Sequence, residues 1–287
     1  MNHTRDLKLT TFALVLLALG CVVFVLLGRW QLSRAAERRD IAAQINAGRT
    51  ASPLLVTAAT PQKDLTPWRA AQARGAWLPE LSVLLDNRNQ NGRPGLWLAT
   101  PLLLNDGHAI LVLRGWFPRP MATGQGAMKQ TGEPDIPPKL ELLRQTDDVV
   151  VTGELAEHVP RLFELWTMSG NNRASALPTN WPNPERGKPL SPLELPRLQN
   201  IELAELTKAS GLAFLPAVIM QTDQWQDGLQ RTWPEPSVDA EKNMGYALQW
   251  FIFAGIAAFA WVMVAVRARK QLRYKPNIGD NTRLRIK

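Results

Sequence analysis

The chain has 287 residues, of which 33 are basic and 25 acidic, with three histidines and one cysteine. A single cysteine excludes a disulfide framework and a cysteine metal cluster. Eight of the basic residues and one acid follow Val266, so the rest of the chain is nearly neutral. The high isoelectric point therefore reflects a basic tail, and we expect no nucleic-acid partner.

The first long apolar run extends from Leu9 to Leu27, after Arg5 and Lys8. A cleaved signal peptide is one interpretation, because charge followed by an apolar core is typical of one. The run exceeds the usual signal core of about 7–15 residues, and no small-x-small cleavage site follows it. The pattern therefore favours an uncleaved transmembrane helix over 9–28, which we expect to continue as a helical extension over 29–46.

The second long run, Tyr246 to Val266, contains no charged residue and is long enough to cross the roughly 30 Å core of a bilayer as a helix. Basic residues follow it directly, and the positive-inside rule keeps such clusters in the cytoplasm. They are Arg267, Arg269, Lys270, Arg273 and Lys275. Four arginines after the first run oppose this orientation locally, but the longer tail favours cytoplasmic termini.

These features predict a cytoplasmic segment 1–8, transmembrane helices over 9–28 and 241–266, a periplasmic domain over 29–240 and a cytoplasmic tail over 267–287. Because the first apolar run begins at about Leu9, we expect no organelle presequence before it. We therefore expect a protein of the bacterial inner membrane, in contact with membrane lipid.

The periplasmic domain contains short apolar runs that predict strands over 68–77, 81–86, 96–104, 108–117, 149–155 and 214–222. Asp106-Gly107 predicts a hairpin turn, and the spacing over 201–210 predicts a helix that Gly211 ends. The predicted fold is two antiparallel membrane helices flanking a soluble α+β domain. That domain has an antiparallel sheet or a partly closed β-barrel and one or two helices.

Residues 87–95 are dense in turn formers, and residues 119–145 and 167–197 are rich in glycine and proline. We interpret the last two segments as surface loops. Gly115 interrupts a strand, which indicates a β-bulge or a close backbone approach. Its neighbour Trp116 is then expected to be a core or interface anchor.

The sequence has no Gly-rich phosphate loop, zinc-binding histidine pair, CxxC or nucleophile-elbow motif. His3 lies in the predicted cytoplasmic segment, His108 lies beside a hairpin turn, and His158 follows a strand. We therefore expect no catalytic residues, no metal site and no enzymatic activity.

Two groups of residues should meet at the periplasmic membrane face, because both predicted helices cross that plane. They are Arg29, Trp30 and Arg34 of the first helix, and Asn243, Tyr246 and Trp250 of the second. Such residues commonly form an interfacial aromatic belt with arginines that reach lipid phosphate. They also bring apolar surface, aromatic faces and cations to one place, so a cofactor site is the alternative interpretation.

Four stretches resemble the motifs of the surfeit locus protein 1 family, the cytochrome c oxidase biogenesis factors. They are Gly28-Arg29-Trp30-Gln31-Leu32, the region 86–102 with Asp86-Asn87-Arg88 and Gly92-Arg93-Pro94-Gly95, the strand Leu111–Pro118, and Gly245–Phe251. They occur in the family's order between residues 28 and 251.

This resemblance implies an assembly factor, or chaperone, for haem-copper (cytochrome c) oxidase that assists the insertion of haem a into subunit I or the maturation of subunit I. Subunit I of cytochrome c oxidase and other oxidase assembly factors are the implied partners, and haem a is the implied cofactor. The family's candidate ligand histidine aligns with Asn243, and an amide does not supply an imidazole. Haem would then dock by its apolar face, with Arg29 or Arg34 pairing its propionates. The alternative is a membrane-anchored envelope scaffold or interaction protein without haem.

Overall fold

A computed structural model describes residues 2–119, 148–160, 177, 181 and 195–273. The chain divides into a helix pair, residues 1–42 with 236–287, and a sheet domain, residues 43–235. Most of the predicted loops 119–145 and 167–197, and the tail beyond Arg273, lie outside the described residues.

Two long helices carry the apolar runs. Helix α1 spans Asn2–Thr50, and helix α3 spans Ala240–Arg273. Both are long and apolar enough to cross a membrane, with peak mean hydropathies of 2.8 and 2.0. Few of their apolar side chains are buried within the protein, and the exposed ones include Phe12, Leu19 and Phe259. The two helices together indicate that this is a membrane protein.

The two helices touch along seams that repeat every seven residues. The less exposed positions include 21, 24, 28, 31, 35 and 38 in α1, and 240, 243, 247, 250, 254 and 257 in α3. Alternating steps of three and four residues keep side chains on one helix face. The contacts run in opposite order along the two helices: Arg38 reaches the backbone of Asp239, Gln31 meets Asn243, and Phe24 meets Trp250.

The sheet domain contains eight strands in its described part. They are β1 (Leu54–Val56), β2 (Ala70–Trp77), β3 (Val83–Gln90), β4 (Arg93–Leu104), β5 (Ala109–Pro118), β6 (Val149–Ala156), β7 (Arg197–Leu198) and β8 (Phe214–Gln221). The order is β1-β2-β6-β8-β5-β4-β3-β7, and an additional pairing joins β2 to β4. That pairing closes β2, β6, β8, β5 and β4 into a ring, so the sheet is barrel-like.

Strand β4 is long enough to pair with two strands along one edge. Val83 to Gln90 of β3 lie along its first half, and Gly75 to Trp77 of β2 lie along its end. The sheet is mixed and not purely antiparallel, because β1–β2, β3–β7 and β5–β8 are parallel pairs. The parallel β5–β8 pair arises because β8 enters the ring between β5 and β6 after a long connection.

The strands bury both of their faces. Ile110 and Val112 of β5 belong to one apolar cluster with Trp77, Val151 and Ile219 from the other ring strands. Alternate residues of β5, including Leu111 and Leu113, join a second cluster that contains Leu206 of helix α2 (Leu203–Ser210). Burial on both faces explains why β5 reads as an almost continuous apolar run.

A β-bulge in β5 interrupts this alternation. Leu113 pairs with Ala99 and Gly115 pairs with Leu98, so Arg114 is the extra residue. Gly115 has φ +152°, and a Cβ there would lie 2.8 Å from Leu229 Cβ and 3.0 Å from the Gln230 carbonyl oxygen. The predicted bulge and close approach are both confirmed, and the buried Trp116 is a core anchor.

Local signals are confirmed at two further positions. The Leu104 amide donates to the His108 carbonyl around the Asp106-Gly107 turn, where Gly107 has φ +86°. Gly211 ends α2 in the left-handed conformation. Residues 87–95, in contrast, form more strand than predicted: Gln90 already pairs with Arg93, and the turn is only Asn91-Gly92, both with positive φ. An Asn-Gly pair with positive φ is typical of a two-residue hairpin turn, so only these two residues of the segment form the turn.

Candidate functional site

Asn243, at the position of the family's candidate ligand, lies in the seam of the helix pair. Its side-chain nitrogen donates a 2.8 Å hydrogen bond to Gln31 Oε1 of α1, and both residues are only partly exposed. Buried Ala35 and Ala247 lie one helical turn away on the two helices. An amide pair between small apolar neighbours fixes which turn of one helix faces which turn of the other.

Trp250 lies in the same seam, two turns further along α3. Its ring stacks on Phe24 at 5.8 Å between centroids and 24° between planes, and it meets Phe253 edge-on at 5.9 Å. A Cβ on Gly28 would lie 2.7 Å from the ring of Phe251. Gly28 therefore leaves room for that ring at the contact between the two helices.

The other four predicted site residues point away from the seam. Trp30 and Tyr246 have 56% and 53% of their surfaces exposed within the protein, and Arg29 is also exposed. Arg34 pairs with Glu37 of its own helix at 2.7 Å. The structure thus brings Asn243 and Trp250 against α1, and leaves Trp30, Tyr246, Arg29 and Arg34 on the outside of the helix pair.

The residue at position 243 does not fit the role of a haem iron ligand. Asn243 has no imidazole, and its amide is already engaged with Gln31. Met244, next to it, is contacted at its sulfur by the Arg39 guanidinium. Neither Asn243 nor Met244 is therefore available as an iron ligand at this place.

A second concentration of motif residues lies in the sheet domain, around Trp116. The indole Nε1 donates 2.6 Å to the backbone carbonyl of Arg88, and the Arg88 guanidinium lies 4.6 Å from the Trp97 ring centroid. A Cβ on Gly95 would come within 2.2 Å of the Trp116 ring, so only glycine lets that ring lie flat on β4. Asp86 pairs with Arg119 at the edge of this group. The residues of the two central motifs, 86–102 and Leu111–Pro118, thus pack together around Trp116.

Arg88 is mostly buried in this group. Its Nη2 donates 3.0 Å to the Gln199 carbonyl. Burial lowers the pKa of the guanidinium to about 10, partly opposed by the charge of Asp86. Replacing Arg88 by a residue that cannot make these contacts with the aromatic ring and the carbonyl should therefore lower the stability of the domain.

Arg114, the extra residue of the bulge, is completely buried on the opposite face. Its guanidinium carbon lies 4.2 Å from the Trp77 ring centroid and 5.5 Å from that of Trp225. Asp227 Oδ2 lies 4.0 Å from Arg114 Nη2, too far for a hydrogen bond. Burial lowers the pKa of Arg114 to about 9, and the Asp227 charge opposes this shift.

Asp227 bonds instead to Arg231. Its two oxygens accept from Arg231 Nη1 at 3.1 Å and Nη2 at 2.5 Å, and both residues are buried. The segment that carries them crosses β5, where the Trp116 and Gln230 backbones exchange two hydrogen bonds. Residues far apart in sequence thus form one buried polar centre against the bulge.

Sequence reasoning identified Trp116 and Gly115 but missed Arg114, Asp227 and Arg231. The available signal was a lone charge within the apolar run Ile110–Phe117. Because such runs are buried, that charge required a partner elsewhere in the chain. Nothing in the local sequence identified Asp227 as that partner.

Two of the three histidines, His108 and His158, lie in the sheet domain. His108 Nδ1 lies 3.8 Å from Asp106 Oδ1 in its turn, and His158 is exposed. Within the described ranges, no three His, Cys, Asp or Glu side chains are grouped so that they could hold a metal ion.

Comparison with known proteins identifies relatives of this chain. The model of the SURF1 family matches residues 18–255, which include most of α1, about the first half of α3 and the entire sheet domain. An uncharacterized SURF1-like protein of Mycobacterium tuberculosis is 24% identical over 273 residues, which cover 92% of this chain and 88% of that protein. A SURF1-like protein of Rickettsia felis is 34% identical over 97 residues, which cover 33% of this chain and 42% of that protein. Because the family model matches most of the sequence, the chain belongs to the SURF1 family.

Proposed function

We propose that this protein is an assembly factor for haem-copper (cytochrome c) oxidase and assists the maturation of subunit I. The observation that carries the proposal is the family match over residues 18–255, which spans both the helix pair and the sheet domain. Subunit I and other oxidase assembly factors are the proposed partners. We propose a non-catalytic role, as for the family.

The proposed location is the bacterial inner membrane, with both termini in the cytoplasm and the sheet domain in the periplasm. Two helices of sufficient length and apolarity support this arrangement. Arg267, Arg269 and Lys270 near the end of α3 support the orientation, because basic residues flanking a membrane helix remain in the cytoplasm.

The exposed part of the helix pair is the proposed contact surface. Trp30 and Tyr246 present aromatic faces, and Arg29 and Arg34 present charge, all outside the seam that joins the helices. Their removal therefore leaves the seam intact. Aromatic and arginine side chains are the types that contribute most at protein interfaces.

A scaffold role without bound haem is the second candidate, and the environment of Asn243 favours it. The amide binds Gln31 and holds the helices in register at the position where the family resemblance implies a histidine. Handling of haem a, if this protein performs it, then rests on residues other than Asn243.

The proposed assembly role is tested in a strain that lacks the gene. We expect the deletion to remove most cytochrome c oxidase activity and to lower subunit I, while a plasmid copy of the gene restores both. Normal oxidase activity and normal subunit I in the deletion strain would contradict the proposal.

Absorbance separates the two candidates. Protein purified from cells that make haem a should show a haem spectrum if it carries the cofactor, and none if it is a scaffold only. The variant Asn243→His supplies an imidazole at the same place, and we expect it to increase any haem binding. A matched Asn243→Gln variant keeps an amide and should not.

The orientation is tested with a reporter that is active only in the periplasm. Fused after Lys287 it should be silent, and inserted near Gly126 it should be active. The reverse pattern would overturn the proposed placement of both the helices and the sheet domain.

A further inference from the structure

At the end of helix α1, one arginine binds two acidic residues of the sheet domain. Arg49 Nε and Nη2 donate to the two carboxylate oxygens of Glu154 in β6, at 3.0 and 3.4 Å. The same Nη2 donates to Glu235 Oε1 at 2.7 Å. The guanidinium carbon lies 5.7 Å from the ring centroid of Trp68. All four residues belong to the sheet domain, and Arg49, Glu154 and Glu235 together are called the ionic lock below.

The three residues of the ionic lock come from three different parts of the chain. Arg49 lies in the last turn of the helix through which the chain enters the sheet domain. Glu154 belongs to a barrel strand, and Glu235 is the last residue of the sheet domain before the chain enters the helix pair. The ionic lock therefore holds both covalent connections of the domain against one strand.

The turn that carries Trp68 has an unusual backbone. The Arg69 amide donates to the Thr66 carbonyl at 3.4 Å, and Pro67 and Trp68 are the two central residues. Trp68 has φ +66°, which is the conformation of the second central residue of a type II turn, where glycine is preferred. A bulky side chain in this conformation is strained, and such strain persists only where surrounding contacts maintain it.

The contacts that maintain this conformation come from α1 and β6. A Cβ on Gly48 would lie 2.3 Å from the Pro67 carbonyl oxygen and 2.8 Å from Trp68 Cβ, so the end of α1 packs directly on the turn. The Trp68 amide donates 2.8 Å to the Leu155 carbonyl of β6. Separation of α1 from the turn removes one of these two supports and lets the strain relax, which favours a second, open state.

The ionic lock is stronger than a single surface pair but remains accessible to solvent. Its bidentate contact with Glu154, its second carboxylate and the Trp68 ring all add to the small contribution of one exposed pair. The side chains of Arg49 and Glu235 are 38% and 59% exposed, whereas that of Glu154 is 24% exposed. Salt should therefore weaken the contact with Glu235 more than the contact with Glu154.

We propose that the ionic lock is a conformational switch that holds both connections of the sheet domain against β6 when closed and releases them together when open. In the open state, the first fixed residue after α1 is Ser52, whose carbonyl accepts from Arg69 Nε at 2.8 Å. The last fixed residue before α3 is Trp233, whose Nε1 donates 2.8 Å to the Gln221 carbonyl. The lengthened connections allow the sheet domain to move relative to the helix pair. This inference is independent of the proposed role in oxidase assembly.

A salt titration of the full chain in detergent tests the proposal, with one readout for each connection. Hydrogen–deuterium exchange of residues 43–50 reports on the end of α1. A spin label on Ser237→Cys, in a Cys21→Ser background, reports on the connection to α3. Between about 0.01 and 1 M salt the Debye length falls from about 30 to about 3 Å. We expect exchange to rise about tenfold and the mobility of the label to rise in parallel.

Charge variants assign the effect to the ionic lock. Arg49→Gln should show fast exchange and a mobile label already at low salt, with no further change at high salt. The triple variant Arg49→Glu, Glu154→Arg, Glu235→Arg reverses all three charges and should restore the closed state. The control Arg74→Gln breaks the exposed pair with Asp148 and should keep the salt dependence of the unchanged chain.

Two results would overturn the proposal. The first is exchange and label mobility that do not change with salt, or that change equally in the unchanged chain and in Arg49→Gln. The second is release of residues 43–50 without a change at Ser237, because the ionic lock must couple the two connections. If the triple variant does not fold, the comparison of the unchanged chain with Arg49→Gln still decides between the outcomes.

Discussion

Gly115 of the sheet domain and Gly245 of the helix pair both belong to the motifs on which the family resemblance rests, but their surroundings differ. A Cβ on Gly115 would lie 2.8 Å from Leu229 and 3.0 Å from Gln230, closer than van der Waals contact, whereas a Cβ on Gly245 would have no neighbour within 4 Å. The same contrast holds for the tryptophans, since Trp116 is buried and Trp30 is exposed. Motif residues in the sheet domain therefore specify packing, and those on the outside of the helix pair are available to lipid or to a partner.

The largest expected effect is that of Gly115→Val. Overpacking against Leu229 and a β-branched residue at φ +152° together should cost about 3–6 kcal/mol, which is much of the stability of a domain. We expect protein abundance to fall strongly in immunoblots of membranes. Wild-type abundance and protease resistance would contradict the structural role of this glycine.

The matched change in the helix pair is Gly245→Val. Valine has a higher helix propensity than glycine, and the position is open. Abundance should stay normal. Equal losses of protein abundance in Gly115→Val and Gly245→Val would contradict the difference between the two regions.

Asp227→Asn should have the next largest effect. The neutral amide leaves Arg231 without its buried counter-ion and removes the nearest buried carboxylate from Arg114, at a cost of about 3 kcal/mol. Chemical unfolding of the purified protein, followed by tryptophan fluorescence, measures this. Asp148→Asn breaks the exposed pair with Arg74 and should leave the midpoint unchanged.

Asn243→Leu should have a small effect. It removes the hydrogen bond to Gln31, and such bonds between membrane helices contribute about 0.6 kcal/mol on average. We expect normal abundance and a slightly lower thermal midpoint. A loss as large as that of Asp227→Asn would mean that the amide pair is essential to the helix pair.

Trp30→Ala, Arg34→Ala and Tyr246→Ala should have almost no effect on stability, because these side chains are exposed. If they contact a cofactor or partner, each should lower oxidase assembly while membrane level and topology remain normal. Leu26→Ala, an exposed apolar position of α1, is the control. Normal oxidase assembly in all three variants would leave only the interpretation as a lipid belt.

Much of the fold could be predicted from local patterns. The two long apolar runs, the strand at 109–118, the turn at Asp106-Gly107 and the cap at Gly211 each depend on neighbouring residues. The ring closure between β2 and β4 and the place of β8 between β5 and β6 depend on long-range pairing, which short-range periodicity does not encode.

The candidate site was predictable to a smaller extent. Helical spacing placed Asn243, Tyr246 and Trp250 on one face, but the seam includes Asn243 and Trp250 and leaves Tyr246 exposed. A heptad seam is narrower than the face that spacing alone defines. Whether the six predicted residues bind a cofactor stays a prediction.

The position of β8 has a consequence for synthesis on the ribosome. Strands β5 and β6 have both been synthesised once residue 156 has been made, but the strand that joins them ends at Gln221. At about 5–20 residues per second, the roughly 60 intervening residues take several seconds. During that time the facing edges of β5 and β6 are unpaired templates for another strand, so a newly made chain is most vulnerable to aggregation just before α3 is synthesised.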